Sequence, residues 1–158
     1  MNEQQEKLKQ FLIQMTAPLD EQFEQDQSVS PMWIVDHGQL TIIATPWSDN
    51  HEKQASVNYV KTKMRELKAT RYVQIAEVWT VVAKEMPKSF LAGASLASHP
   101  DRREAVIATA EDKHGNTLML RRYILRPEQG KATLAPGEIE DLGGPTKTEG
   151  LMAHMLED

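Results

Sequence analysis

At 158 residues, with 40% hydrophobic and 26% charged side chains, the chain fits one domain with a modest core. A net charge of −5 argues against nonspecific nucleic-acid binding, which needs clustered Lys and Arg to neutralise phosphates. The lack of cysteine excludes disulfides, thiolate zinc sites and cysteine nucleophiles.

The first residues, Met1-Asn2-Glu3-Gln4-Gln5-Glu6, lack the basic start and apolar core of a signal peptide. No apolar run approaches the roughly 20 residues of a membrane span. A soluble, cytoplasmic protein with no membrane association is expected.

Leu8, Phe11, Leu12 and Met15 recur at i, i+3, i+4 and i+7, which predicts a helix over 3–15 with one apolar stripe. Pro18 ends it, because the residue before a proline resists the helical region. Residues 19–30, anchored by Phe23, read either as a second short helix or as a loop. Met32–Asp36 and residues 39–45 are predicted strands, with His37-Gly38 between them at hairpin spacing. Ser48-Asp49 and Glu52 have the form of a capping box. The helix they would start runs to Lys68, with Val57, Val60, Met64 and Leu67 on its apolar face.

Residues 71–126 carry most of the fold. Three strand-like runs, 71–83, 103–112 and 117–126, follow closely, the last two joined by Lys113-His114-Gly115-Asn116. They mark an antiparallel sheet. In the first run both parities are apolar, which predicts a central strand with Glu77 inside it. The register of the third run stays open, and a slip of one residue would turn every side chain to the other face. Residues 84–101 are too long for a hairpin turn and nearly uncharged from Ser89 to Ser98, which suits a lid, a binding loop or a short helix. Residues 131–135 read as a last short strand. Glycines then mark 137–150 as a flexible linker, and 151–158 as a docked turn or a disordered end. The expected boundaries are one domain over 1–136 and a Gly-rich tail over 137–158.

Four constellations bear on chemistry. Antiparallel pairing of the three runs would gather Lys84, Lys88, Arg102, Arg103 and Arg126 at one end of the sheet, a setting for a phosphate or carboxylate. Neutralisation by Glu85, Asp101, Glu104 and Glu128 is the competing reading. Glu77 would share a face with either Arg121 or Arg122, as a pocket carboxylate with its cation or as a solvent-facing ion pair. Asp36, His37, Asp49 and His51, and separately His99 and Asp101, offer metal-ligand types at no standard spacing, so no metal site is expected. Hydrolase, phosphate-loop and zincin motifs are missing, and Gly93-Ala94-Ser95 lacks the second glycine of a nucleophile elbow. No cofactor is expected.

The predicted fold is α+β: a mixed, mostly antiparallel sheet of about five strands with helices packed on one face. The element order resembles the cone-shaped fold of nuclear transport factor 2 and its relatives, whose helices cover a strongly curved sheet around a pocket. Function does not follow from a shared scaffold. Two functions stay open. One is a small non-enzymatic binding or accessory module that acts through protein–protein contact, as a homodimer or with another partner. The other is a pocket protein or enzyme that binds a small anionic ligand with Glu77 and Arg121 or Arg122.

Overall fold

The computed structural model of the chain describes residues 1–45, 50–80, 103–143 and 155–156. Its first helix, α1 (Glu3–Thr16), opens with a capping box. Asn2 Oδ1 accepts from the Gln5 N–H and Gln5 Oε1 from the Asn2 N–H, both at 2.9 Å. Leu8, Phe11 and Leu12 are buried, as their spacing predicts. Pro18 then bends the chain into α2 (Leu19–Asp26), so the open reading of this segment resolves as a helix. Gln27 ends α2 in the left-handed region at φ 56°. Its side chain ties the helix to the distant Ala132, whose N–H it accepts at 2.8 Å and whose carbonyl it reaches at 3.1 Å.

The remaining elements are β1 (Met32–Asp36), β2 (Leu40–Ala44), α3 (Asn50–Leu67), β3 (Arg71–Thr80), β4 (Arg103–Asp112), β5 (Thr117–Leu125), β6 (Thr133–Leu134) and β7 (Glu138–Gly143). The sheet order is β2-β1-β3-β4-β5-β6, and β7 also pairs with β5. Every described pairing is antiparallel. The class is α+β with an antiparallel sheet, as read, and seven strands stand where about five were expected. The added strand β7 arises from the glycine-flanked segment read as linker, with Ile139 opposite Leu120. Met155 and Leu156 form a turn, and Met155 is buried. The proposed cap at Ser48-Asp49 and the segment 84–101 lie outside the described residues.

Strand alternation divides the apolar residues into two cores. Ile34, Val73, Ile75, Val106, Ala108 and Leu118 meet α1 and α2. Trp33, Val35 and Tyr72 point the other way and meet Val57, Val60 and Met64 of α3. The third helix therefore covers the face opposite the first two, which is how β1 and β3 can be apolar on both sides. Among the described residues no helix is long and apolar enough to cross a membrane.

Tyr72 joins the second core to the Met155–Leu156 turn. Burial holds its phenol well above the ordinary value of 10.0, the nearby Glu111 carboxylate adds to that, and a hydrogen bond with the Met155 backbone works against it. The Leu156 N–H donates to Glu111 Oε1 at 3.3 Å beside it. A raised folded pKa contributes stability that is full below the unfolded value and lost as pH rises past it. Unfolding free energy should therefore fall above about pH 10, by as much as about 1.4 kcal/mol per pH unit from this group. Tyr72→Phe should flatten that slope in urea titrations at pH 9–11; an unchanged slope would assign it to other groups.

Candidate functional site

The sheet register decides which of the expected site residues meet. Glu77 lies opposite Val106, and Val106 lies opposite Arg122. Arg122 thus shares a face with Glu77 while Arg121 lies on the other. The Glu77 side chain is exposed, and its Oε1 accepts from the Val29 N–H at 2.8 Å. It fastens the entry to β1.

Arg122 is 14% exposed and engaged at every turn. Its Nη1 and Nη2 bind both oxygens of Asp20 at 3.1 and 2.7 Å. Its Nε donates to the Ala135 carbonyl at 2.8 Å and Nη2 to the Leu134 carbonyl at 3.3 Å. These bonds lash the start of α2 to the chain around β6. Arg122 also lines a cleft of about 570 Å³ with Ile13, Ala17, Leu120, Gly137 and Ile139.

Arg122→Met should lower stability by about 2 kcal/mol, because two carbonyls lose a charged donor and a carboxylate loses its fork. The hydrogen bond from Arg122 holds the Asp20 carboxyl below its ordinary value against a small desolvation. A depressed folded pKa contributes stability that is present above the unfolded value, near 4, and lost as pH falls through the folded one. Asp20→Asn should therefore remove part of the acid slope below about pH 4, modestly, because Asp20 is mostly exposed. Equal acid slopes in the two proteins would disprove that role.

The other cations disperse. Arg121 reaches Glu140 only at 3.9 Å, and its buried Nε lacks a hydrogen-bond partner among the described residues. Arg103 lies over the Tyr123 ring with its guanidinium carbon 3.6 Å from the centroid. Arg126 pairs with Glu104, Nη2 to Oε1 at 3.1 Å, on the opposite face. Arg103 and Arg126 share a sheet end without sharing a site. Lys84, Lys88 and Arg102 lie outside the described residues. Of the metal-ligand types, Asp36 holds Arg71 Nε at 2.8 Å and the Gly38 N–H at 3.0 Å, and His37 Nε2 lies 2.8 Å from Thr41 Oγ1. Among the described residues no three His, Asp or Glu side chains converge to hold a metal ion.

A different feature stands out at the far edge of the sheet. β2 reads Leu40-Thr41-Ile42-Ile43-Ala44, with no charge and no proline. Among the described residues it pairs only with β1. The hydrogen bonds at the hairpin's two ends run from the Thr45 N–H to the Pro31 carbonyl and from the His37 N–H to the Gln39 carbonyl. Odd-numbered residues thus turn their backbone groups to β1. Leu40, Ile42 and Ala44 turn theirs outward. The same three side chains share the face that α1 covers over β3, β4 and β5. Beyond that layer Leu40 is 53% and Ile42 67% exposed. On the reverse face Ile43 packs into the α3 core, which fixes the strand in place. Sequence reading marked these residues as strand and gave no sign that they would be wet.

No known family model, curated protein or solved structure matches the chain. The likeness to the nuclear transport factor 2 fold accordingly rests on element order alone.

Proposed function

We propose that the chain is a non-enzymatic binding module that acts through protein–protein contact, with the outer edge of β2 as its docking strand. The exposed, uncharged edge carries this reading. Edge strands in soluble proteins are usually blunted by lysine, proline, a bulge or a covering loop, because their free N–H and C=O groups recruit other strands. β2 has an unbroken register with β1 and none of the first three devices. A partner strand laid along it would gain main-chain hydrogen bonds, and its side chains would bury Leu40 and Ile42.

The anionic-ligand reading has less support. Its strongest cation, Arg122, already holds Asp20, and Glu77 is exposed and already holds the Val29 N–H. Arg121 keeps one donor to spare, on the face away from Glu77.

A photoreactive residue at position 40, Leu40→benzoylphenylalanine, tests the docking strand in extracts of the cells that make the protein. Cross-linked adducts that vanish when Ile42→Lys is added are expected. An absence of any adduct, to itself or to another polypeptide, would rule the docking strand out.

A further inference from the structure

We infer that the partner strand at β2 is β2 of a second copy, so that two sheets join edge to edge across a two-fold axis; this rests on the docking reading above. A two-fold pairing requires a strand that complements itself in hydrogen bonds, side chains and charge. β2 meets each condition.

Take Ile42 as the axis. Ile42 then faces Ile42 of the second copy, and Leu40 faces Ala44 of the second copy. In an antiparallel pair, a residue whose N–H and C=O both point at the neighbour exchanges both bonds with the residue opposite. Leu40, Ile42 and Ala44 are the residues whose groups point outward, as the odd-numbered bonds to β1 require. An axis at Ile42 therefore lets all three residues from each copy bond in register. An axis at Thr41 would oppose Leu40 only with Ile42 and leave Ala44 beyond the other strand, and an axis at Ile43 would oppose Ile42 only with Ala44 and leave Leu40 so, whereas the axis at Ile42 uses all three.

The side chains agree. Leu40, Ile42 and Ala44 lie on one face, so the joined sheets carry one apolar strip across the axis. The two large side chains of that strip, Ile42 and Leu40, are exposed and gain cover. On the other face Ile43 is already packed against α3 and does not obstruct the approach.

Charge selects a second copy over a charged peptide. Each copy carries a net charge of −5, so most of its surface repels another copy. The β2 strand carries none, and Asp36 at its hairpin end is neutralised by Arg71. Two acidic molecules can meet there without facing like charges, while a charged peptide would find nothing to pair with. A standard stable interface needs about 800 Å² from each partner, and a five-residue strand with two aliphatic side chains supplies only part of that. The dimer should accordingly exchange with monomer as concentration changes.

Sedimentation equilibrium over 1–500 μM, on the order of a usual protein titration, should move the mass from 17.9 kDa toward twice that value. Ile42→Lys puts two ammonium groups at the axis and should weaken the dimer on the order of a hundredfold. Tyr59→Ser removes an equally exposed apolar residue on α3 and should leave association unchanged. Amide exchange supplies the register: Leu40, Ile42 and Ala44 should gain protection with concentration, and Thr41 and Ile43 should be protected throughout. Monomer at every concentration, with Leu40 cross-linking other polypeptides, would overturn the self-pairing and keep the docking strand. Monomer with no cross-link would overturn both. Association that survives Ile42→Lys would place the dimer face elsewhere and overturn the self-pairing too.

Discussion

Trp33→Ala should lower the unfolding free energy by about 4 kcal/mol, more than half of what many domains of this size possess. Trp33 is fully buried and its ring centroid lies 5.8 Å from that of Tyr72, tilted by 47°. It sits in β1, where it meets Val57, Val60 and Met64, so the α3 layer rests on it. Removal of the ring leaves a cavity between helix and sheet that neither can close without giving up other contacts. The indole also donates from Nε1 to Thr45 Oγ1 at 2.9 Å, at the end of the hairpin that contains β2. Trp33→Phe separates the two roles. It keeps most of the packing and drops the hydrogen bond, and should cost about 1–2 kcal/mol more than packing loss alone. Urea midpoints would measure the totals, and amide exchange their location. Protection should fail first in α3 and in Thr45. A uniform loss across the chain would mean that α3 is not a separable layer. A cost below about 1 kcal/mol for the alanine variant would contradict its burial.

Much of the fold was legible because periodicity reports burial. The stripe Leu8, Phe11, Leu12 is core, β4 runs over the expected residues, and the turn at Gly115 holds its left-handed φ of 84°. β7 was hidden for a physical reason. Its residues Glu138-Ile139-Glu140-Asp141 are acidic, and their flanking glycines have the composition of a linker. Pairing with β5, not composition, makes them a strand. The candidate site was less legible. Glu77 and Arg122 were expected to share a face in one of two registers, and they do. Nothing local could reveal that Asp20, 102 residues away, takes the guanidinium. Nor could Leu40 and Ile42 reveal their exposure. An alternating apolar strand looks alike in the centre of a sheet and at its rim. What strands them at the rim is that β1 lies between β2 and β3, a long-range choice.

The opposite rim of the sheet shows why β2 stands out, and Gly137→Ala tests it. A Cβ built on Gly137 would lie 2.3 Å from the Arg121 carbonyl oxygen, 2.8 Å from Arg122 Cγ and 3.0 Å from Leu120 Cδ1. The leucine tip can turn aside. The carbonyl cannot, because Arg121 is registered with Ile107 on one side and Glu138 on the other. Nor can Arg122 Cγ, whose guanidinium is pinned to Asp20 and two carbonyls. The methyl group must push the chain away from β5, at a cost of about 3 kcal/mol, with loss of protection concentrated in β7. Gly38→Ala is the control. It has open space and a positive φ of 94°, so it should cost only about 1 kcal/mol of backbone strain. If the two variants cost the same, the close approach at Gly137 is not what holds β7. If β7 does come away, residues 117–121 of β5 lose their outer partner, and their edge opens in place of the acidic edge of β7. Gly137→Ala should then associate even when Ile42→Lys blocks β2. A double variant that stays monomeric while β7 loses protection would show that a bare edge alone is not enough, and that the apolar strip of Leu40 and Ile42 is the part of β2 that selects its partner.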